Sequence, residues 1–437
     1  MASSPKANPI TQRLDTMVRL WERFREQPEA RVCRWVITPD EKQMVDVFLE
    51  TSYLPDNPLP DLFLPFYAPF SDPATYGAEL LQELGQNLDN DRSALAEAGI
   101  TINWAAKPNI KEEEEEQAWF LRNLLQVAEQ YPLPEEGFLV AVLQPQVAEK
   151  QFGKWLLKAV RTGIPAKLRL LVLDQEGAET LSVLAAKAPL QFFSTPLALD
   201  MPNALRQLAS AGNPADPGVK FRKAFLDLAQ AASAKDLGAV QRLETLPLSI
   251  AREQGWAPME IAVHGLVASA FIGLNKLAEA VGRYNLSVQL AQKAYAAGEK
   301  SGLTLAVQAL SCKGSVYLSQ KAYEDAGIAF AAAATLAEEA GDFFQVMEAK
   351  RMHSYCLEKI GELAAAFGVG QEGMAAAAQL EESIRQNSTL PYLGQFLLDL
   401  AYRLGYKQQY SPLEEIITEL AGPDWQNKLP QTKAATV

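Results

Sequence analysis

Residues 309–340 read ALSCKGSVYLSQKAYEDAGIAFAAAATLAEEA, and the spacing within them decides the fold. Gly314 is followed three residues later by Tyr317, then by Ala326, Phe330 and Ala333. Alanine and leucine recur at helical spacing, and Gly341-Asp342 breaks the run. The pattern reads as two helices folded on each other. Small residues at 314 and 326 let the two axes approach closely, and Ala333 keeps the crossing tight. Tyr317 and Phe330 fill the space between this hairpin and the next.

The register recurs along the chain. One unit earlier, Ala268, Phe271, Ala280 and Tyr284 take the same offsets, with Ser287 in the last small slot. One unit later, Ser354, Leu357 and Ala366 match, and Gly370 stands where the bulky residue belongs. A weaker first unit carries Ala239, Leu243 and Leu246, with Asp227 in the first small slot. Positions 227, 268, 314 and 354 are separated by 41, 46 and 40 residues. Gly314, Tyr317, Ala326, Phe330 and Ala333 follow the order of the tetratricopeptide pattern. The period exceeds the roughly 34 residues usual for that repeat, which means longer helices. Residues 219–405 therefore resemble the long-helix tetratricopeptide variety of kinesin light chains and bacterial peptide-sensing regulators, and the segment 334–342 resembles its second-helix ending. The resemblance implies an α-solenoid.

The preceding half has a different rhythm. Compact apolar runs at 32–37, 62–66, 100–105, 138–143, 168–173 and 191–193 read as strands. Helical patterns lie between them at 40–51 (Asp40 in a capping role), 72–98 (capped by Asp72), from 112 onward, and at 150–162. Apolar strands alternating with helices predict a largely parallel sheet covered on both faces, a three-layer α/β domain. The expected organisation is an N-terminal amphipathic helix within 1–30 packing on the first domain, an α/β domain at 31–200, and a linker at 201–218. Helical repeats at 219–405 and a capping helix with a tail at 406–437 complete it.

An α/β domain joined to helical repeats resembles the layout of signal-transduction ATPases, which implies a search for their phosphate loop. It is absent. After Ile37 the chain reads Thr38-Pro39-Asp40-Glu41-Lys42, with no glycine and an acidic pair that repels phosphate. The one Gly-Lys pair of this half, Gly153-Lys154, runs into Trp155 inside a helix. Asp174 ends an apolar strand as a magnesium ligand would, but without a phosphate loop it reads as a turn or cap residue. Gln144 stands where the other candidate strand would need an aspartate. The resemblance is to a degenerate domain of that kind.

Other chemistry is sparse. His264 and His353 are the only histidines of the 437-residue chain, and Cys33, Cys312 and Cys356 lie far apart. They read as packed residues, with no metal-ligand spacing and no disulfide framework. The carboxylate run 112–116 reads as a solvated helix start favoured by the macrodipole, with a contact for a basic partner as the alternative. A net charge of −13 argues against nucleic acid or anionic lipid as partner. No apolar stretch is long enough to span a membrane. A cytoplasmic location is expected.

These readings predict a non-enzymatic adaptor or scaffold without cofactor or metal, holding another protein or peptide in the repeat groove. Lys276, Lys313, Gln320, Arg351 and Lys359 are the candidate groove residues, and Tyr67 and Phe70 a candidate exposed anchor on the α/β domain. The acidic balance favours a basic ligand, whereas the four groove cations suit an acidic segment or a terminal carboxylate. The alternatives are a regulator built on a degenerate nucleotide-binding-like domain and a bacterial chaperone or loading factor for a secreted or assembled client.

Overall fold

The apolar runs of the first half become strands, of which the three central ones are buried from both sides. β1 (Val32–Ile37), β2 (Leu62–Phe66), β3 (Leu139–Leu143), β4 (Leu168–Gln175) and β5 (Phe192–Pro196) form one sheet in the order β2-β3-β4-β1-β5. Every pairing in it is parallel. In β3, Leu139, Ala141 and Leu143 enter one core while Val140 and Val142 enter the other, so the strand is apolar without alternation. The structure, a computed structural model, describes residues 8–54, 56–70, 72–105, 115–144 and 150–429. The chain divides into two units, Met1–Leu208 and Ala209–Val437.

Helices cover both faces of the sheet. α1 (Pro9–Arg25) places Met17, Trp21 and Phe24 in one core together with Met44, Val45 and Phe48 of α2 (Lys42–Thr51). The other face is covered by α3 (Tyr76–Asn90), which is followed by the short α4 (Arg92–Glu97), and by α5 (Glu116–Gln130), α6 (Lys150–Thr162) and α7 (Ser182–Lys187). The indole of Trp21 donates to Asp61 at 2.7 Å, and the Phe138 amide donates to the other Asp61 oxygen at 2.8 Å, which ties α1 to the start of β3.

Several expectations need correction. Asp40 does not cap the helix after β1; the Thr38 amide donates to the Glu41 carboxylate, whose other oxygen accepts from the Leu199 amide. The helix expected over 72–98 starts at Tyr76 and breaks at Asp91. Residues 112–114 of the acidic run lie outside the described residues, and Glu116 is not a solvated charge. It accepts from the Gly77 amide and, at 2.5 Å, from the Trp155 indole, and burial pushes its carboxyl up. The first half of the expected 201–218 linker is a helix, α8 (Met201–Ala209).

The segment 100–105 is not a strand. The neighbouring sheet edge, β2, offers it little to pair with. Leu62 donates to Phe138 and Phe66 accepts from Gln144, so alternate residues Phe63 and Pro65 present their backbone to the free edge. Pro65 has no N–H, and the Phe63 carbonyl accepts the Tyr53 hydroxyl.

The second unit is a stack of helix pairs, tetratricopeptide-like. α9 (Pro217–Ser233) pairs with the broken helix α10 (Leu237–Leu243) and α11 (Thr245–Glu253). The next pairs are α12 (Ala257–Gly273) with α13 (Leu277–Ala296), α14 (Ser301–Ser319) with α15 (Tyr323–Ala340), and α16 (Phe343–Lys359) with α17 (Leu363–Ala377). After the short α18 (Glu382–Gln386), α19 (Leu390–Leu404) pairs with α20 (Lys407–Ala421). Pro412 lies inside α20 rather than opening it, and Trp425 is buried in the core of this last pair.

One turn joins the two helices of every pair. Lys235, Asn275, Lys321, Gly361 and Gly405 all have positive φ, between 55° and 89°. The amide after each, at Asp236, Lys276, Ala322, Glu362 and Tyr406, donates to the carbonyl five residues back at 2.8–3.1 Å. This is the left-handed helix ending in which orphan carbonyls of the last turn are satisfied. It fixes the register of the repeat. Seven residues before the turn lie Leu228, Ala268, Gly314 and Ser354, and the slot twelve residues after these holds Val240, Ala280, Ala326 and Ala366, each fully buried. The first unit thus begins one residue later than expected: Asp227 is exposed and Leu228 fills the slot. At Gly370 the missing bulk comes from the next pair, since a Cβ there would lie 2.6 Å from Leu397.

Candidate functional site

In the first three pairs the first helices touch each other, α12 against both α9 and α14, and no two second helices pack as extensively. The first helices therefore line the inner side of that part of the stack, and the equivalent face continues onto α16 and α19. Counting back 13, 10, 6 and 3 residues from each turn residue picks one stripe on each first helix, because those offsets fall on one helical face. It comprises Arg222, Phe225, Ala229 and Ala232 on α9, then Ala262, Gly265, Ser269 and Ile272 on α12. Gln308, Ser311, Ser315 and Leu318 follow on α14, Glu348, Arg351, Tyr355 and Glu358 on α16, and Tyr392, Gln395, Asp399 and Tyr402 on α19. None of these residues is buried.

The stripe changes character along its length. On α12 and α14 it is mostly small, and a Cβ at Gly265 would touch nothing within 4 Å. On α16 and α19 it becomes aromatic and charged: Tyr355, Tyr392 and Tyr402 are 36%, 44% and 82% exposed. Glu348 receives Arg351 at 2.9 Å and the Thr389 hydroxyl, bridging two pairs. Glu358 receives Arg403 at 2.6 Å and Lys359 at 3.0 Å, and the Arg403 contact leads the causes that hold its carboxyl below the usual range.

Of the five groove residues expected from sequence, Arg351 lies on this stripe and Lys359 beside it. Lys276 and Gln320 sit at the hairpin turns, and Lys313 lies off the stripe over the Tyr317 ring at 5.8 Å. Lys276 is paired with Glu279 at 3.4 Å. Three of the four cations thus meet carboxylates of their own repeat, and the conflict between a basic groove and an acidic chain dissolves. The tyrosines and Asp399 escaped the sequence reading because the period was measured from the small slot without the turn residue. The positive-φ position would have supplied the missing offset.

The histidines and cysteines serve packing, with one correction. His264 is 2% exposed; Arg283 donates to its Nδ1 at 3.2 Å and to Glu244 at 2.8 Å. Burial, then the Arg283 charge, lowers its pKa to about 4. Cys33 and Cys356 are buried, and burial pushes both thiols up, Cys356 to about 11. Cys312 is exposed rather than core. Among the described residues, no group of three or more His, Cys, Asp or Glu could hold a metal ion. No described helix is long and apolar enough to cross a membrane.

In the α/β unit, the strand ends of β1 and β4 meet a hollow of about 760 Å³ lined by Thr38, Lys42, Asp46, Glu50, Tyr67 and Gln144, among others. Asp174 borders it with both oxygens engaged, on Arg34 at 2.8 Å and on the Thr180 and Leu181 amides at 2.9 Å. It caps the start of α7 and holds a buried cation. Tyr67 is half exposed, with its phenol pushed up by burial and then Asp46. Phe70 is not an exposed anchor: at 4% exposure it packs on Tyr76 and Phe152.

Fold and face together define a parallel α/β unit followed by a tetratricopeptide-like helical repeat whose first helices each carry an unburied stripe. No family model matches the sequence, and no curated protein does. Solved structures similar to the chain include BtubC (BKLC) from P. vanneervenii, at 12% identity over 54% of this chain and 95% of that one, with a TM-score of 0.40. A Rap protein complexed with competence and sporulation factor is similar at 14% identity over 81% and 94%, with a TM-score of 0.32. Aspartyl phosphate phosphatase F from Bacillus subtilis is similar at 13% identity over 96% and 95%, with a TM-score of 0.34.

Proposed function

We propose that the chain is a non-enzymatic adaptor that holds a protein segment along the inner stripe of its repeat. The observation that carries this is the gathering of three exposed tyrosines, Tyr355, Tyr392 and Tyr402, on the stripe at α16 and α19. Tyrosine supplies large contact area at low entropic cost and is enriched at binding hot spots. The small residues of α12 and α14 leave room for a backbone to lie close. Lys276, Arg351 and Lys359 are neutralised within the repeat, and Asp399 stands among the tyrosines, so a basic, amphipathic segment is the favoured ligand.

The test is affinity capture from the source organism with the full chain and with a Tyr355→Ala/Tyr392→Ala/Tyr402→Ala variant of unchanged circular dichroism. A partner recovered by the parent and lost from the variant is the expected outcome. Equal recovery by both contradicts the proposal.

A second reading, a regulator whose α/β unit holds a ligand, draws on the hollow beside β1 and β4. In that sheet order β1 crosses toward β2 and β4 toward β5, so the hollow lies at a topological switch point. Its lining disfavours phosphate: Asp46 and Glu50 face it, and the Thr38 amide is already taken by Glu41.

A further inference from the structure

Beside the free edge of β2 lies a second hollow of about 530 Å³. Leu62 and Leu64 of β2 form its floor, Leu84 and Leu88 of α3 one wall, and Val127 of α5 another. Ile100, Ile102 and α4 close the outer side. No residue of α4 is buried, although its Leu95 faces the hollow, so this helix lies over the space as a lightly held lid. The polar side chains of the lining are Tyr53, Asn87, Asp91 and Tyr131. Asn87 and Asp91 are one helical turn apart, and Tyr53 feels the charges of both Asp91 and Tyr131, which gathers these groups at one rim.

We propose that this hollow binds a small, mainly aliphatic molecule whose polar end is uncharged or cationic. Its volume falls within the roughly 300–1,000 Å³ of small-molecule sites, and apolar walls with a few convergent polar groups are their usual construction. A peptide strand is a poor occupant. Pro65 offers no N–H at the edge, and Tyr53 already occupies the Phe63 carbonyl. The rim selects the polar end: the Asp91 carboxylate repels a ligand carboxylate, whereas the tyrosine hydroxyls and Asn87 bond a hydroxyl, amide or amine. The site lies wholly within Met1–Leu208 and is independent of the repeat stripe.

The full chain is titrated with the neutral fluorophore N-phenyl-1-naphthylamine, and the bound probe is then displaced with decan-1-ol or with decanoate. Saturable probe binding is expected, with decanol displacing at concentrations at least tenfold below decanoate. Asp91→Asn narrows that gap, and Leu88→Trp, which fills the hollow, weakens probe binding at least tenfold. Absence of saturable binding overturns the proposal, as does decanoate displacing as well as decanol. So does undiminished binding by Leu88→Trp with unchanged circular dichroism. Should Leu88→Trp fail to fold, the displacement series on the parent protein decides alone.

Discussion

The ring of Phe330 lies flat against Gly314, so closely that a Cβ on residue 314 would sit 2.8–2.9 Å from its carbons. The two residues belong to opposite helices of one hairpin, and their contact sets how near α14 and α15 approach. Gly314→Ala should therefore cost about 1–3 kcal/mol by overpacking. Phe330→Leu should cost less in the Gly314→Ala background than alone, since the two share one space. Urea denaturation of the four proteins of this cycle measures the coupling.

The turn chemistry makes an opposite prediction. Lys321 holds φ at 59°, where its counterparts in the two following hairpins are Gly361 and Gly405. A left-handed non-glycine residue carries about 1–2 kcal/mol of strain, part of which glycine returns as unfolded-state entropy. Lys321→Gly should stabilise the chain by about 0.5–1 kcal/mol, read as a higher denaturation midpoint with unchanged slope.

Much of this was legible in the sequence. Ala326, Ala280 and Ala366 are where the offsets put them because a close helix crossing tolerates little else, and that requirement leaves a mark on residue type. The three central strands were likewise visible as apolar runs, since a parallel strand buried on both faces has no polar alternation to confuse it. What failed were features fixed by distant partners. Residues 100–105 have the apolar content of a strand but no open edge to join, because Tyr53 and Pro65 close it. Phe70 follows an exposed tyrosine yet turns inward onto Phe152. Glu116 ends a run of carboxylates yet is claimed by Trp155, 39 residues on. In the candidate site, Arg351 was found because it is charged, while Tyr392 and Tyr402 needed the turn residue Gly405 as an origin.

Asp174 binds the Arg34 guanidinium at 2.8 Å, and both side chains are buried. Removing the carboxylate leaves a buried cation without its partner and two amides at the start of α7 uncapped. Asp174→Ala should cost about 3–5 kcal/mol in the α/β unit. Partner capture by the repeat should persist at temperatures where the variant remains folded, as checked by calorimetry and capture on the same preparation.

His264 makes the repeat sensitive to mild acid. Its folded pKa, about 4, lies below the unfolded value of about 6.5, so the unfolded chain takes up a proton first as pH falls. The contribution is present above pH 6.5 and is lost between there and pH 4. It amounts to about 2 kcal/mol between pH 7.5 and 5. Arg283, Glu260 and Arg252 are the charged groups that act on the ring, and Glu244 holds Arg283. His264→Gln should flatten this part of the pH–stability curve in paired urea titrations.

The central claim is that the partner lies on the inner stripe. A photo-crosslinking amino acid placed singly at Ser315, at Tyr355 or at Ile328, which is 70% exposed on the second helix α15, tests it most directly. Illumination of the full chain in the source organism should join the partner to positions 315 and 355 and leave 328 free. Crosslinks from 328 alone, or none from either inner position while the partner still co-purifies, would contradict the account.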